Sequence, residues 1–94
     1  MSLITGQASA TTANSVLFTM PPGSAVVTIN SGTSSTVTAY IGMGATVATT
    51  SGGYILDPGH TLTFATYTRS GGCNVNAITG SASATLSWII STNN

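Results

Sequence analysis

The chain has 94 residues, enough for one domain, and only two of them, Asp57 and Arg69, carry a formal charge. A single cation cannot form a basic patch for DNA or RNA, and a single anion cannot form a carboxylate cage for a divalent cation. A single cysteine cannot form a disulfide within the chain. With zero net charge and a core limited by its size, such a domain is expected to gain stability by oligomerising or by docking on a larger partner.

The first 13 residues are small and mostly polar after Ile4, with neither the basic segment nor the apolar run of a signal peptide. No stretch approaches the roughly 20 consecutive apolar residues of a membrane helix. We therefore expect a protein made in a cytoplasm, with no membrane partner. Residues 1–13 are predicted to form an N-terminal arm ahead of a β-domain at residues 14–94. Leu3 and Ile4 are the arm residues expected to contact a partner, with the arm lying across a neighbouring subunit as an added strand or a clamp.

From residue 14 onward, short runs rich in β-branched and aromatic residues alternate with turn residues. In the run 36–41, for example, Val37, Ala39 and Ile41 share one face. The pattern predicts an all-β fold, a single small β-sandwich or barrel of about seven to eight short antiparallel strands. The runs lie at 15–20, 25–29, 36–41, 45–49, 54–56, 61–68, 74–78 and 84–90.

Two turns have strong local chemistry. In Asp57-Pro58-Gly59-His60 the proline presets φ and the glycine is free to take a positive φ, while the Asp57 side chain is expected to bond to backbone amides. Gly80 separates the last two runs, which predicts that 74–78 and 84–90 pair as a hairpin. In the second of these runs Leu86, Trp88 and Ile90 share a face.

The titratable side chains are too few for an enzyme. His60 and Asp57 share one tight turn, and nothing near Cys73 other than Arg69 would activate its thiol. One cysteine, one histidine and one aspartate also fall short of a closed tetrahedral metal site. We therefore expect no catalytic residue, no metal, no cofactor and no nucleic-acid partner.

The two charges and the three tyrosines are the remaining candidates for contact with a partner. Asp57 and Arg69 stand at opposite ends of the run 61–68, which as a straight strand of about 27 Å would keep them apart within one chain. They can then pair only between subunits, where a charge pair would fix the register of the two chains. Tyr40, Tyr54 and Tyr67 suit an interface because tyrosine brings a large contact area at a modest entropy cost. Partial burial at sheet edges is the alternative for these tyrosines.

Several strand-end and turn residues follow one another in a recognisable order: Tyr40-Ile41-Gly42, Thr46-Val47, Gly53, Leu56 and Pro58-Gly59, with a closing hairpin at 77–88. This order resembles a pattern in small β-domains of tailed-bacteriophage virions, especially head decoration proteins. The resemblance covers about residues 35–90, and the matching residues are structural. It implies a capsid decoration (cement) protein made in the host cytoplasm, often a homotrimer, that binds the major capsid protein at the capsid surface and stabilises the coat lattice. The alternative is a tail-tip or fibre β-domain that binds a host-surface glycan through Trp88 or the tyrosines.

Overall fold

The structure, a computed structural model, describes residues 2–32, 36–43, 54–68 and 73–92. These residues form eight β-strands and no helix, which confirms the predicted all-β class. The predicted run at 45–49 lies outside the described residues. The strands are β1 (Ser2–Ala10), β2 (Ser15–Thr19), β3 (Gly23–Ser31), β4 (Ala39–Met43), β5 (Tyr54–Leu56), β6 (Thr61–Thr68), β7 (Asn74–Thr79) and β8 (Ala84–Thr92).

The strands form two four-stranded antiparallel sheets. Sheet I has the order β1-β8-β3-β6, and sheet II has the order β2-β7-β4-β5. Most connections therefore carry the chain from one sheet to the other, and β4 to β5 stays within sheet II. This strand order is that of a jelly roll, in which two Greek keys enclose one core.

The core lies between the sheets because successive side chains of a strand point to opposite faces. The alternation predicted for 36–41 is confirmed at Ala39 and Ile41, both fully buried, and that for 84–90 at Leu86 and Ile90. The buried apolar residues are Ala10, Leu17, Met20, Ala25, Val27, Ile29, Ala39, Ile41, Leu56, Val75, Ala77, Ala84, Leu86 and Ile90.

Residues 2–10 are a strand of sheet I and not an arm. β1 pairs with β8 along its whole length, from Ser2 opposite Thr92 to Ala10 opposite Ala84. The arm prediction is therefore wrong for this segment. Small, polar residues suit it because β1 is an edge strand, and apart from Ala10 its side chains are exposed or half-exposed.

β7 and β8 do not form the predicted hairpin, although they are consecutive in the chain. β7 lies between β2 and β4 in sheet II, and β8 lies between β1 and β3 in sheet I. The segment 80–83 thus carries the chain between the sheets. A local alternation pattern identifies both strands but does not tell a crossing of this kind from a hairpin turn.

The turn before β6 has its predicted backbone geometry. The His60 N–H donates to the Asp57 carbonyl at 3.1 Å, and Gly59 has a φ of 79°, as in a type II turn with Pro58 in its second position. The Asp57 carboxylate differs from the prediction, because its Oδ1 accepts a hydrogen bond from the Thr38 hydroxyl at 2.8 Å. That bond ties the turn to the chain just before β4.

Candidate functional site

The outward face of sheet I is a surface without a charged side chain. Its members are the alternate residues of four strands, brought side by side by the strand register. An average protein has about a quarter of its residues charged, so a whole sheet face without one is unusual. The face consists of Leu3, Thr5, Gln7 and Ser9 (β1), Thr85, Ser87, Ile89 and Ser91 (β8), Ser24, Val26, Thr28 and Asn30 (β3), and Thr61, Thr63, Ala65 and Tyr67 (β6).

Four large apolar side chains of this face stand together; we call Leu3, Val26, Tyr67 and Ile89 the apolar patch. Leu3 and Val26 lie on either side of Ser91, and Ile89 is two residues from Ser91 on the same strand. Tyr67 lies diagonally from Val26 on β6. Ile89 is also diagonal to both Leu3 and Val26, and diagonal neighbours on paired strands lie about 7–8 Å apart, within reach of long side chains. Their exposed fractions are 65, 47, 70 and 48%, respectively. A contiguous exposed apolar surface of this kind is typical of a contact site.

The rest of the face carries hydroxyl and amide groups. The Thr28 and Thr63 hydroxyls lie 3.4 Å apart across β3 and β6, and the Asn30 side-chain amide donates to Thr61 Oγ1 at 3.0 Å. These cross-strand pairs restrict the side chains that form them. A partner of this face would therefore be held by apolar contact and by neutral hydrogen bonds.

Two open grooves lie on this face. One, of about 530 Å³, lies at the patch end beside Val26 and Tyr67. The other, of about 400 Å³, lies at Ser87 between the side chains of Gln7 and Asn30.

Trp88 packs on the other, inward side of β8, in space that Gly6 leaves free. A Cβ on Gly6 would lie 2.5 Å from Trp88 Cζ2, so the indole rests on the backbone of β1. The Trp88 ring centroid is 4.8 Å from that of Phe18, with the planes tilted by 36°. The indole therefore joins the two sheets and is not a platform on the outward face.

A smaller apolar row crosses the outward face of sheet II. Tyr40 lies opposite Ile78 on one side and opposite Ile55 on the other. Ile55 is 67% exposed, whereas Tyr40 and Ile78 are half-buried. Only one of its three members is exposed, whereas all four members of the apolar patch of sheet I are, and the row ends near the Thr38–Asp57 hydrogen bond.

The residues predicted to contact a partner do not form one site. Leu3 and Tyr67 both belong to the apolar patch of sheet I. Tyr40, Tyr54 and Asp57 lie on or beside β4 and β5 in sheet II, where Tyr54 is exposed and pairs with the backbone of β4. The structure thus divides the predicted set between two sheets.

Two further predicted contact residues lie elsewhere. Ile4 is opposite Ile90 and faces the inward side of β1, where it is 44% exposed because β1 is an edge strand. Arg69 lies outside the described residues. Its pairing with Asp57 between subunits stays a prediction.

Val26 and Ile89 are exposed residues of the apolar patch that were not among the predicted contact residues. Each stands between two inward-facing apolar neighbours, as Ile89 does between Trp88 and Ile90. In a strand with a two-residue period such a residue faces outward. That signal was present in the sequence and would have placed both on the exposed face.

Among the residues that the structure describes, the titratable side chains do not assemble into a reactive group. His60 is exposed, and its backbone carbonyl accepts from the Ser31 N–H at 3.0 Å. Cys73 is half-buried, and its carbonyl accepts from the Met20 N–H at 2.7 Å. Within the described residues there is no group of three His, Cys, Asp or Glu side chains arranged to hold a metal ion. The same part of the chain contains no helix that could span a membrane.

No protein-family model matches the chain, and no curated protein or solved structure shows significant similarity to it. The resemblance to phage decoration proteins therefore depends on the turn and strand-end residues alone, and it stays a prediction.

Proposed function

We propose that this chain is a structural protein of a virus particle, a capsid decoration protein that binds the outer capsid surface through the outward face of sheet I and stabilises the coat lattice. The observation that carries the proposal is the contiguous apolar patch within a sheet face that has no charge. Such a surface is suited to a stably bound protein partner and not to a charged ligand that binds transiently.

The jelly-roll architecture supports the proposal that the chain belongs to a virus particle. Jelly rolls are one of the architectures used by viral capsid domains, and also by lectin domains. Because one fold serves many functions, this support is an analogy at the level of the fold.

Binding by this face would depend on burial of apolar area, which contributes about 25 cal/mol for each Å² removed from water. Each bound copy that contacts neighbouring coat subunits favours the assembled lattice over free subunits by mass action. Screening by salt acts on exposed charges, and this face has none. We therefore expect particle binding to change little with ionic strength.

The test is to return purified protein to particles from which it has been removed. Val26→Lys/Ile89→Lys places two charges in the apolar patch, and Val16→Lys/Ile55→Lys is the matched control with two exposed β-branched residues of sheet II. We expect the patch variant to bind at least about tenfold more weakly, or ~1.4 kcal/mol, while the control binds like the unmodified chain.

Three outcomes would contradict the proposal. They are unchanged binding of the patch variant, an equal loss in the control, and release of the unmodified chain by high salt. Circular dichroism of both variants first shows that they keep the β-fold.

A tail-tip or fibre domain that binds a neutral host-surface glycan is the second candidate. The groove at Ser87, flanked by the Gln7 and Asn30 amides, offers neutral hydrogen-bonding groups of the kind that bind sugar hydroxyls. The packing of Trp88 against Gly6 and Phe18 removes it as a stacking surface on this face. Binding of the chain to host-cell glycans that Gln7→Ala weakens, without binding to particle heads, would favour this candidate.

A further inference from the structure

The two edges of sheet II carry features that discourage pairing with another strand. The register of β2 shifts between Val16 and Phe18, as at a β-bulge, and the prolines Pro21 and Pro22 follow this strand. β5 at the other edge has only three residues. Bulges, prolines and short strands are the usual protection of sheet edges.

The two edges of sheet I lack these features. β1 has nine residues and β6 has eight, neither strand contains a proline or a charged residue, and both keep an unbroken register with their inner neighbours. Within the described part of the chain, β6 pairs with β3 alone. A long, regular and uncharged edge is a template for another strand.

Of these two edge strands, β6 has more large apolar side chains that an added strand would cover. Its inward side chains Leu62 and Phe64 are only half-buried, although both pack against the core. The only large apolar side chain at an inward position of β1 is Ile4, which is 44% exposed, and the Trp88 ring already covers Gly6. An additional strand beside β6 would therefore cover two large apolar side chains, whereas one beside β1 would cover one.

We propose that β6 pairs with β6 of a second copy of this chain, antiparallel about a two-fold axis, so that the two copies of sheet I form one eight-stranded sheet. The strand is compatible with itself because it contains no charge to repel its own copy. Aromatic and threonine side chains, which it does contain, form favourable cross-strand pairs. Two-fold dimers are also the commonest symmetric assemblies. This inference does not depend on the proposed function.

The alternation of β6 limits where the axis can lie. In an antiparallel pair, residues directly opposite each other point to the same face of the sheet. The two-fold axis must therefore pass beside one residue of β6, so that this residue lies opposite its own copy, and not between two consecutive residues. Near the middle of the strand these positions are Thr63, Phe64 and Ala65. With the axis at any of these three residues, the outward faces of sheet I from the two copies lie on the same side of the joined sheet.

The first test uses charge. Thr63→Lys/Ala65→Lys places a lysine opposite a lysine of the partner for an axis at 63, 64 or 65, and like charges directly opposite destabilise a pair. Thr5→Lys/Gln7→Lys is the matched control, with two exposed outward residues of β1. Sedimentation equilibrium should show a dimer for the unmodified chain and the β1 variant, and a dissociation constant at least about tenfold higher for the β6 variant.

The second test locates the axis by cross-linking. In a Cys73→Ser background, Thr63→Cys, Phe64→Cys and Ala65→Cys each place one thiol on β6, and Thr85→Cys on β8 is the control. Facing Cα atoms of paired strands lie within about 4.4–6.8 Å, the range for a disulfide. We expect oxidation to give a covalent dimer with at least one of the three β6 thiols and none with the β8 thiol.

Other results would overturn the inference. A monomer, a trimer, or equal loss of association in both lysine variants would show that β6 does not meet its own copy. Association without any β6 cross-link would indicate pairing of β6 with β1 of the next copy or with a strand of another protein.

Discussion

At Gly6 the missing side chain determines where Trp88 packs. The indole covers the backbone of the edge strand and reaches Phe18 of sheet II, so one residue joins β1, β8 and β2. Aromatic side chains that cover a glycine in a neighbouring strand are a known device for stabilising sheets. The sequence predicts that Trp88 shares a face with Leu86 and Ile90, but not that Gly6 lies opposite, because that pairing joins the two ends of the chain.

Gly6→Ala should destabilise the fold. The new Cβ would lie 2.5 Å from a Trp88 ring atom, so the indole or β1 must move. Overpacking of this kind costs about 1–3 kcal/mol, and each kcal/mol lowers the melting temperature of a domain of this size by about 4–8 °C. Thermal unfolding followed by circular dichroism measures the change. Gln7→Ala, at the exposed neighbouring position, is the control, and equal melting temperatures of the two variants would contradict the described packing.

At the scale of the element, the alternation of the sequence predicts the strands better than the sheets to which they belong. Seven of the predicted runs correspond to β2–β8 or include part of them, because turn residues and two-residue periods are local signals. The hairpin of β7 and β8 was wrong because sheet membership depends on partners far along the chain. The arm was wrong because β1 pairs with the last strand, and its small side chains show little alternation.

The register of β1 predicts the result of removing it. A chain of residues 11–94 would leave β8 as an edge strand, with Trp88 deprived of the surface on which it rests. We expect this chain to lose its cooperative thermal transition or to melt well below the full chain, and to aggregate through β8. Sedimentation and circular dichroism provide the measurement, and Leu3→Thr, an outward change within β1, is the control. A soluble domain with an unchanged melting temperature would instead restore the arm interpretation.

At the scale of the whole molecule, the fold and the composition act together. Among the described strands, β1 and β6 are the two long edges of sheet I, and the outward face of the same sheet carries the apolar patch. If two copies join through β6, both patches face the same way and form one larger contact surface. The zero net charge of the sequence favours self-association, but only the strand order shows which described strands form the edges of sheet I and which residues its outward face contains.

The most direct test of the proposed function is the number of copies of this chain in a virus particle. Quantitative mass spectrometry of particles purified from the source would measure the ratio of this chain to the coat protein. A decoration protein predicts hundreds of copies per particle, in a constant ratio to the coat protein from one preparation to the next. A handful of copies would indicate a tail or fibre component, and no copies in the particle would contradict the proposed function.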